Sequence, residues 1–211
     1  MSQFFRLHPD NPQVRLLKQA VQLLERGGVL AVPTDSSYAL VCHLDDKDAA
    51  ERLRRLRGMD GKHPLTLLCR DLSELSSYAR VDNRQFRLLK LATPGPYTFV
   101  LEASKEVPRR LSHPARKTIG LRVPDHHSLL ALLALHDGPL LATTLIAPNE
   151  SSPMNDPHHI RTRFEHELAG VLDAGACAHE PTTVLDLTPM GGGGAPLLLR
   201  AGRGALAPLG L

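Results

Sequence analysis

The chain has 211 residues, of which 42% are apolar and only 4% aromatic; tryptophan is absent and the formal charge is +3. That length can bury a core without disulfide staples, and the composition requires that core to be aliphatic. Few aromatics means few stacking platforms, which argues against a single-strand nucleic-acid binder, and a charge this small does not by itself imply a nucleic-acid partner.

Cys42, Cys69 and Cys177 are widely spaced with no CxxC pair, a pattern of reduced thiols rather than a disulfide framework. Met1 to Gln13 contains Asp10, two prolines and no apolar core, so it does not read as a signal peptide. The longest apolar run, Leu129 to Leu135, is too short to span a bilayer. A cytoplasmic protein with one domain over 1–211 is expected.

Val14, Leu17, Val21 and Leu24 fall at helical spacing and predict a helix from Asn11 to Arg26, stopped by Gly27-Gly28. Val29 to Val32 reads as a buried strand closed by Pro33. Asp46 to Leu56 is a second helix, with Asp45 or Asp46 as N-cap and Gly58 as stop. Leu65 to Cys69 is a short strand. Asp71 to Ser77 and Asp82 to Ala92 are helical, and Thr93-Pro94-Gly95-Pro96 breaks the chain before a β-rich Tyr97 to Leu101. Thr118 to Val123 is a strand, His126 to His136 a helix, Leu140 to Leu145 a strand and Pro157 to Ala169 a helix. Val171 to Ala174, Thr183 to Leu187 and Leu197 to Arg200 complete the strands, and Gly191 to Gly194 is a turn without the Lys-Ser/Thr of a P-loop. Intermixed helices and strands imply an α/β sheet covered by helices.

Pro33-Thr34-Asp35-Ser36-Ser37-Tyr38 follows a buried strand, where α/β sheets place ligand loops; the same residues also suit a plain Asx or ST turn. Arg52, Arg54, Arg55 and Arg57 fan over one helix, with Lys62 beyond it. They form either a solvated basic face or a phosphate grip. Strand alternation sets Thr118, Gly120 and Arg122 on one face and Ile119, Leu121 and Val123 on the other. Arg122 is either an edge-strand ion-pair partner or a rigidly held ligand group. Thr182 and Arg200 each sit beside a late strand. The eleven histidines show no HxxxH or Cys/His ligand spacing, so no protein metal site is expected. No GxSxG or Cys–His motif supports covalent catalysis.

Taken in order, these clusters resemble the YrdC/YciO family, whose best-known members make threonylcarbamoyl-adenylate for tRNA modification. The matching blocks are Pro33 to Tyr38, Arg55-x-Arg57, His63-Pro64-Leu65, Pro94 to Thr98, Lys117 to Pro124, Pro181 to Asp186 and Leu199 to Gly202; Met1 to Phe5 and Cys69 to Leu75 point to the YciO branch. The resemblance implies a twisted, open, mixed sheet with flanking helices and a concave basic face. It implies ATP or AMP, L-threonine and bicarbonate as ligands, with double-stranded RNA or tRNA as a further partner. Mg²⁺ would be carried on the ATP phosphates, without a protein cage. By position, Thr34, Arg122 and Thr182 would hold the threonine, and Arg55, Arg57, Lys62, Thr118, Thr144 and Arg200 would lie near the nucleotide. Arg55 stands where the enzymes have Lys. Ile146 replaces an Asn and Leu68 a His, departures that imply a weakened synthase. The alternative is a non-catalytic RNA-binding or regulatory protein with a vestigial site.

Overall fold

The computed structural model describes residues 1–59 and 63–211. Its strands are β1 (Gln3–Arg6), β2 (Leu30–Val32), β3 (Ala39–His43), β4 (Thr66–Leu68), β5 (Ala79–Arg80), β6 (Tyr97–Ala103), β7 (Thr118–Arg122), β8 (Leu140–Thr144), β9 (Gly170–Asp173), β10 (Thr183–Asp186) and β11 (Leu197–Arg200). Its helices are α1 (Val14–Glu25), α2 (Lys47–Arg57), α3 (Leu72–Tyr78), α4 (Asn83–Ala92), α5 (His127–His136) and α6 (Pro157–Arg163).

Aspartate starts four of these helices. Asp46, Asp71, Asp82 and Asp156 each accept a first-turn backbone N–H, at α2, α3, α4 and α6. Each side chain thereby satisfies a donor that the helix itself cannot pair. Gly58 closes α2 at φ 68°, a left-handed conformation that costs glycine little.

The strands form one mixed sheet ordered β1-β9-β2-β3-β8-β4-β7-β6-β10-β11, with β5 pairing β6 off this path. β1–β9, β2–β9, β4–β7 and β6–β10 are parallel and the remaining pairs antiparallel. Both faces carry a core. On one face, Leu17, Ala20 and Leu24 of α1 and Leu129, Leu132 and Leu133 of α5 cover Leu30, Val32, Val41, Leu68 and Leu140. On the other, Leu53 and Leu56 of α2 and Leu88 and Leu89 of α4 cover Leu40, Leu67, Phe99, Leu121 and Leu185.

The first face is covered only in part. Thr66 is two residues before Leu68 and registers with Gly120, which registers with Val100. These three share the α1/α5 side, as do Thr98, Thr118, Thr144 and Val184 by strand alternation. All seven are only half-buried. The sheet thus leaves one stretch of its α1/α5 face less covered, lined by four threonine hydroxyls, a bare glycine and two valines. No helix among the described residues is long and apolar enough to cross a membrane.

Four local expectations are corrected. The amino-terminal segment contributes β1, and Phe5 and Leu7 are buried under α1. β3, unforeseen, follows the Pro33 to Tyr38 loop. The predicted helix to Ala169 stops at Arg163, because Phe164 and Leu168 turn into the core. β7 lies between β4 and β6 rather than at an edge.

Asp82 accepts from both Arg84 and Gln85 in a complete capping box. Asp82→Ala is expected to cost about 1 kcal/mol, read as a lower urea midpoint with an unchanged m-value.

Candidate ligand site on the open face

The loop after β2 organises itself around one hydroxyl. Thr34 Oγ1 accepts from the Ser36 and Ser37 amides at 3.0 and 3.2 Å and donates to the Ser37 carbonyl at 2.7 Å. These bonds fix the loop as an ST turn. Tyr38 anchors the loop's end by donating from its hydroxyl to the Leu172 and Gly175 carbonyls at 3.1 and 3.0 Å. Burial pushes the Cys177 thiol up to about 11; the Thr34 amide, which donates to it, counters this, and the carboxylate of Asp35 reinforces it.

Arg122 reaches this loop from the last residue of β7. Its side chain is 8% exposed, and it pairs with Asp35, itself 11% exposed. The same Nη2 donates to Thr34 Oγ1 at 3.3 Å. Burial disfavours the guanidinium's charge and lowers it from the ordinary arginine range; Asp35 offsets this, and the nearby positive charge of Arg200 adds to it. Arg122 Nε and Asp35 Oδ2 are buried with no hydrogen-bond partner among the described residues. His126, just past β7, lies close enough to feel both charges; burial lowers it below the ordinary histidine range, against the pull of Asp35.

The second arginine is anchored differently. Arg200 donates from Nε to the Thr182 carbonyl at 3.0 Å and from Nη2 to Thr182 Oγ1 at 2.9 Å. Thr182 Oγ1 also bonds Thr98 Oγ1 at 3.0 Å, tying β10 to the open face. One residue on, Thr183 Oγ1 accepts from the Gly202 amide at 3.1 Å and donates to the Gly204 carbonyl at 2.7 Å. A Cβ at Gly202 would lie 2.4 Å from the Pro181 carbonyl oxygen, so only glycine lets the chain turn back here.

The structure therefore brings Thr34, Arg122, Thr182 and Arg200 into one neighbourhood, with Thr118 and Thr144 on the adjoining open face. Arg55 and Arg57 lie on α2, whose apolar side packs on the opposite face of the sheet. Arg55 is exposed, and Arg57 is half-buried with an Nε unpaired among the described residues. Lys62 lies outside the described residues. Leu68 is 2% exposed, locked in the α1/α5 core, and Ile146 is half-buried after β8. Asp35, Thr98, His126 and Cys177 received no role from the sequence. Asp35 had a signal, a charge in the middle of a ligand-type loop, but its partner is 87 residues away. No group of three or more His, Cys, Asp or Glu able to hold a metal exists among the described residues.

The chain is a mixed α/β sheet protein with two anchored arginines beside a half-covered stretch of its sheet. The sequence profile of the Sua5/YciO/YrdC family, described as telomere recombination, matches residues 22–202, and the chain belongs to that family. It is 49% identical to YciO of Escherichia coli (strain K12) over 208 residues, 99% of each chain. The crystal structure of E. coli YciO superposes with a TM-score of 0.93, at 48% identity, over 99% of this chain and 100% of that one. The threonylcarbamoyl-AMP synthase of Homo sapiens is 34% identical over 139 residues, 66% of this chain and 49% of that protein. The crystal structure of P. abyssi Sua5 complexed with L-threonine matches with a TM-score of 0.84 at 25% identity, over 94% of this chain and 57% of that one.

Removing one member of a buried ion pair strands the other. Arg122→Leu is expected to destabilise the fold by about 3–5 kcal/mol, measured by denaturant unfolding. The double variant Asp35→Leu/Arg122→Leu should recover most of that loss.

Proposed function

We propose that the open face binds L-threonine and a nucleotide and supports a threonylcarbamoyl-adenylate-forming reaction, slower than that of the dedicated synthases. The observation that carries this is Arg122: a buried guanidinium on an interior strand, braced by Asp35 and Thr34 and next to Arg200. A cation kept at such a desolvation cost is suited to a small carboxylate. Related proteins that bind L-threonine or make threonylcarbamoyl-AMP support the choice of ligand.

In this reading the amino-acid carboxylate docks against Arg122, its neutral amine nitrogen attacks the bicarbonate carbon, and a C–O bond breaks with loss of water to leave the carbamate. A carbamate oxygen then attacks the α-phosphorus of ATP; the bond to the bridging oxygen breaks and pyrophosphate leaves. Such chemistry needs positioning and charge neutralisation, not a protein nucleophile. Arg200, fixed by Thr182, would stabilise phosphate charge beside the open strands. Mg²⁺ would arrive on the nucleotide phosphates. Leu68 in the dry core and Ile146 offer no polar side-chain atom to a ligand, which supports the reduced rate. Free thiols at Cys42, Cys69 and Cys177 suit a reducing, ATP-containing cytoplasm.

Duplex RNA on the same face has weaker support. The open strands present Glu102 as well as hydroxyls. Arg54, Arg55 and Arg57 in the last turn of α2 complement that helix's own carbonyl end.

With ATP, Mg²⁺, L-threonine and bicarbonate together, the protein is expected to release pyrophosphate, and omitting threonine should abolish the release. Arg200→Ala should lower kcat/KM about 100-fold, a loss of roughly 2.7 kcal/mol of transition-state stabilisation. Absence of pyrophosphate at saturating substrates would refute the synthase reading.

A further inference from the structure

The sheet holds a second crevice, away from the open face. β4 and β7 are adjacent and parallel, so their carboxyl ends lie side by side. The chain leaves them in opposite directions. β4 leads into α3, whose Leu75 packs in the core on the α2/α4 side, whereas β7 leads into α5, whose Leu129 and Leu132 pack on the other side. Parallel neighbours whose following helices part to opposite faces leave a gap between them, and this is where open α/β sheets take small ligands. A cleft of about 280 Å³ lies there. Val123, just past β7, is buried in its lining, Leu72 of α3 and Leu130 of α5 are half-buried in it, and Arg70 and Lys90 border it exposed. Val123 belongs to the α2/α4-side core, whereas strand alternation turns Arg122 to the α1/α5 face. The cleft therefore lies behind the arginine site and shares no residue with it.

The charges around the cleft decide what fits it. Arg70 is committed: its Nη1 donates to Asp137 at 2.9 Å, and its Nε lies 3.7 Å from both Asp71 and Glu74. Asp71, the only acidic group in the lining, is engaged by Arg70 and by the Glu74 amide, which donates to it at 2.8 Å. Lys90, in the last turn of α4, has no ion pair or side-chain hydrogen bond among the described residues. One uncommitted positive charge beside apolar walls complements a monoanion with an apolar body. The volume is at the small end of the roughly 300–1,000 Å³ typical of small-molecule sites, which limits that body to a few carbons. We propose that this cleft binds a short-chain aliphatic monocarboxylate, with its tail against Leu72, Val123 and Leu130 and its carboxylate on Lys90.

The test follows backbone amide chemical shifts of the isotope-labelled protein during titration with 4-methylpentanoate. The amides of Arg70, Leu72, Val123 and Leu130 are expected to move saturably, with a dissociation constant on the order of millimolar for a ligand of so few atoms. The uncharged isostere 4-methylpentanamide should bind about threefold or more weakly, the scale of one exposed ion pair. Acetate, which lacks the tail, should bind more weakly than 4-methylpentanoate. Lys90→Gln, a change at an exposed position, should preserve the fold and make acid and amide equal. No saturable shift at these residues overturns the proposal, and so does equal affinity for acid and amide in the unaltered protein. A preference that survives Lys90→Gln also overturns it, leaving Lys90 as a complement to the carbonyl end of α4 alone. Shifts confined to the surroundings of Arg122 overturn it as well, because the acid then occupies the open face. Pyrophosphate release is a separate readout, so this proposal and the synthase reading fail independently.

Discussion

The charge on Arg122 has to be compensated inside the protein, and much of the site follows from that requirement. A guanidinium this deeply buried is tolerated only with a counter-charge and hydrogen-bond acceptors around it. Asp35 supplies the charge and Thr34 an oxygen, both from a loop held in place by Tyr38. The loop's conformation, the position of the strand end and the electrostatics around Arg122 are thus one arrangement. Changing any one member alters the others.

The sheet makes room for this by uneven coverage. α1 and α5 dry one part of a face, and Leu68 marks the edge of that cover, registering with Arg122 on the neighbouring strand. Beyond it the strands show threonine, glycine and valine in place of leucine. An aliphatic core and a polar floor are therefore continuous on the same strands, with the arginine at the boundary. There the low dielectric of one side strengthens interactions with whatever enters from the other.

Much of this was legible in the sequence. The helical spacings of α1 and α2, the aspartate cap of α2 and the glycine stop at Gly58 are local rules, and the chain obeys them. Alternation along Thr118 to Val123 correctly divided polar from apolar faces, and the family was recognisable from ordered blocks. What local reading missed depends on distant partners. β1 is a strand because β9 pairs with it, and α6 ends early because Phe164 and Leu168 find the core. The pairing of Asp35 with a residue on β7 has no periodicity to betray it. Nor does spacing reveal that the helix carrying Arg55 and Arg57 packs its apolar side on the face opposite the threonine-lined one.

Arg200 belongs to the outermost strand of the sheet, and its neighbours Leu197, Leu198 and Leu199 are about half exposed, at 52%, 47% and 54%. Outer strands with little apolar cover are the first to fray in native-state fluctuations. The Thr183 clasp on the Gly202 to Gly204 turn opposes that fraying at one end only. When the strand peels, the protein keeps its interior but loses one of its two anchored cations. If the site holds an anion as proposed, apparent affinity for it would scale with the fraction of molecules whose last strand is closed, coupling occupancy to order at the carboxyl-terminal margin of the sheet.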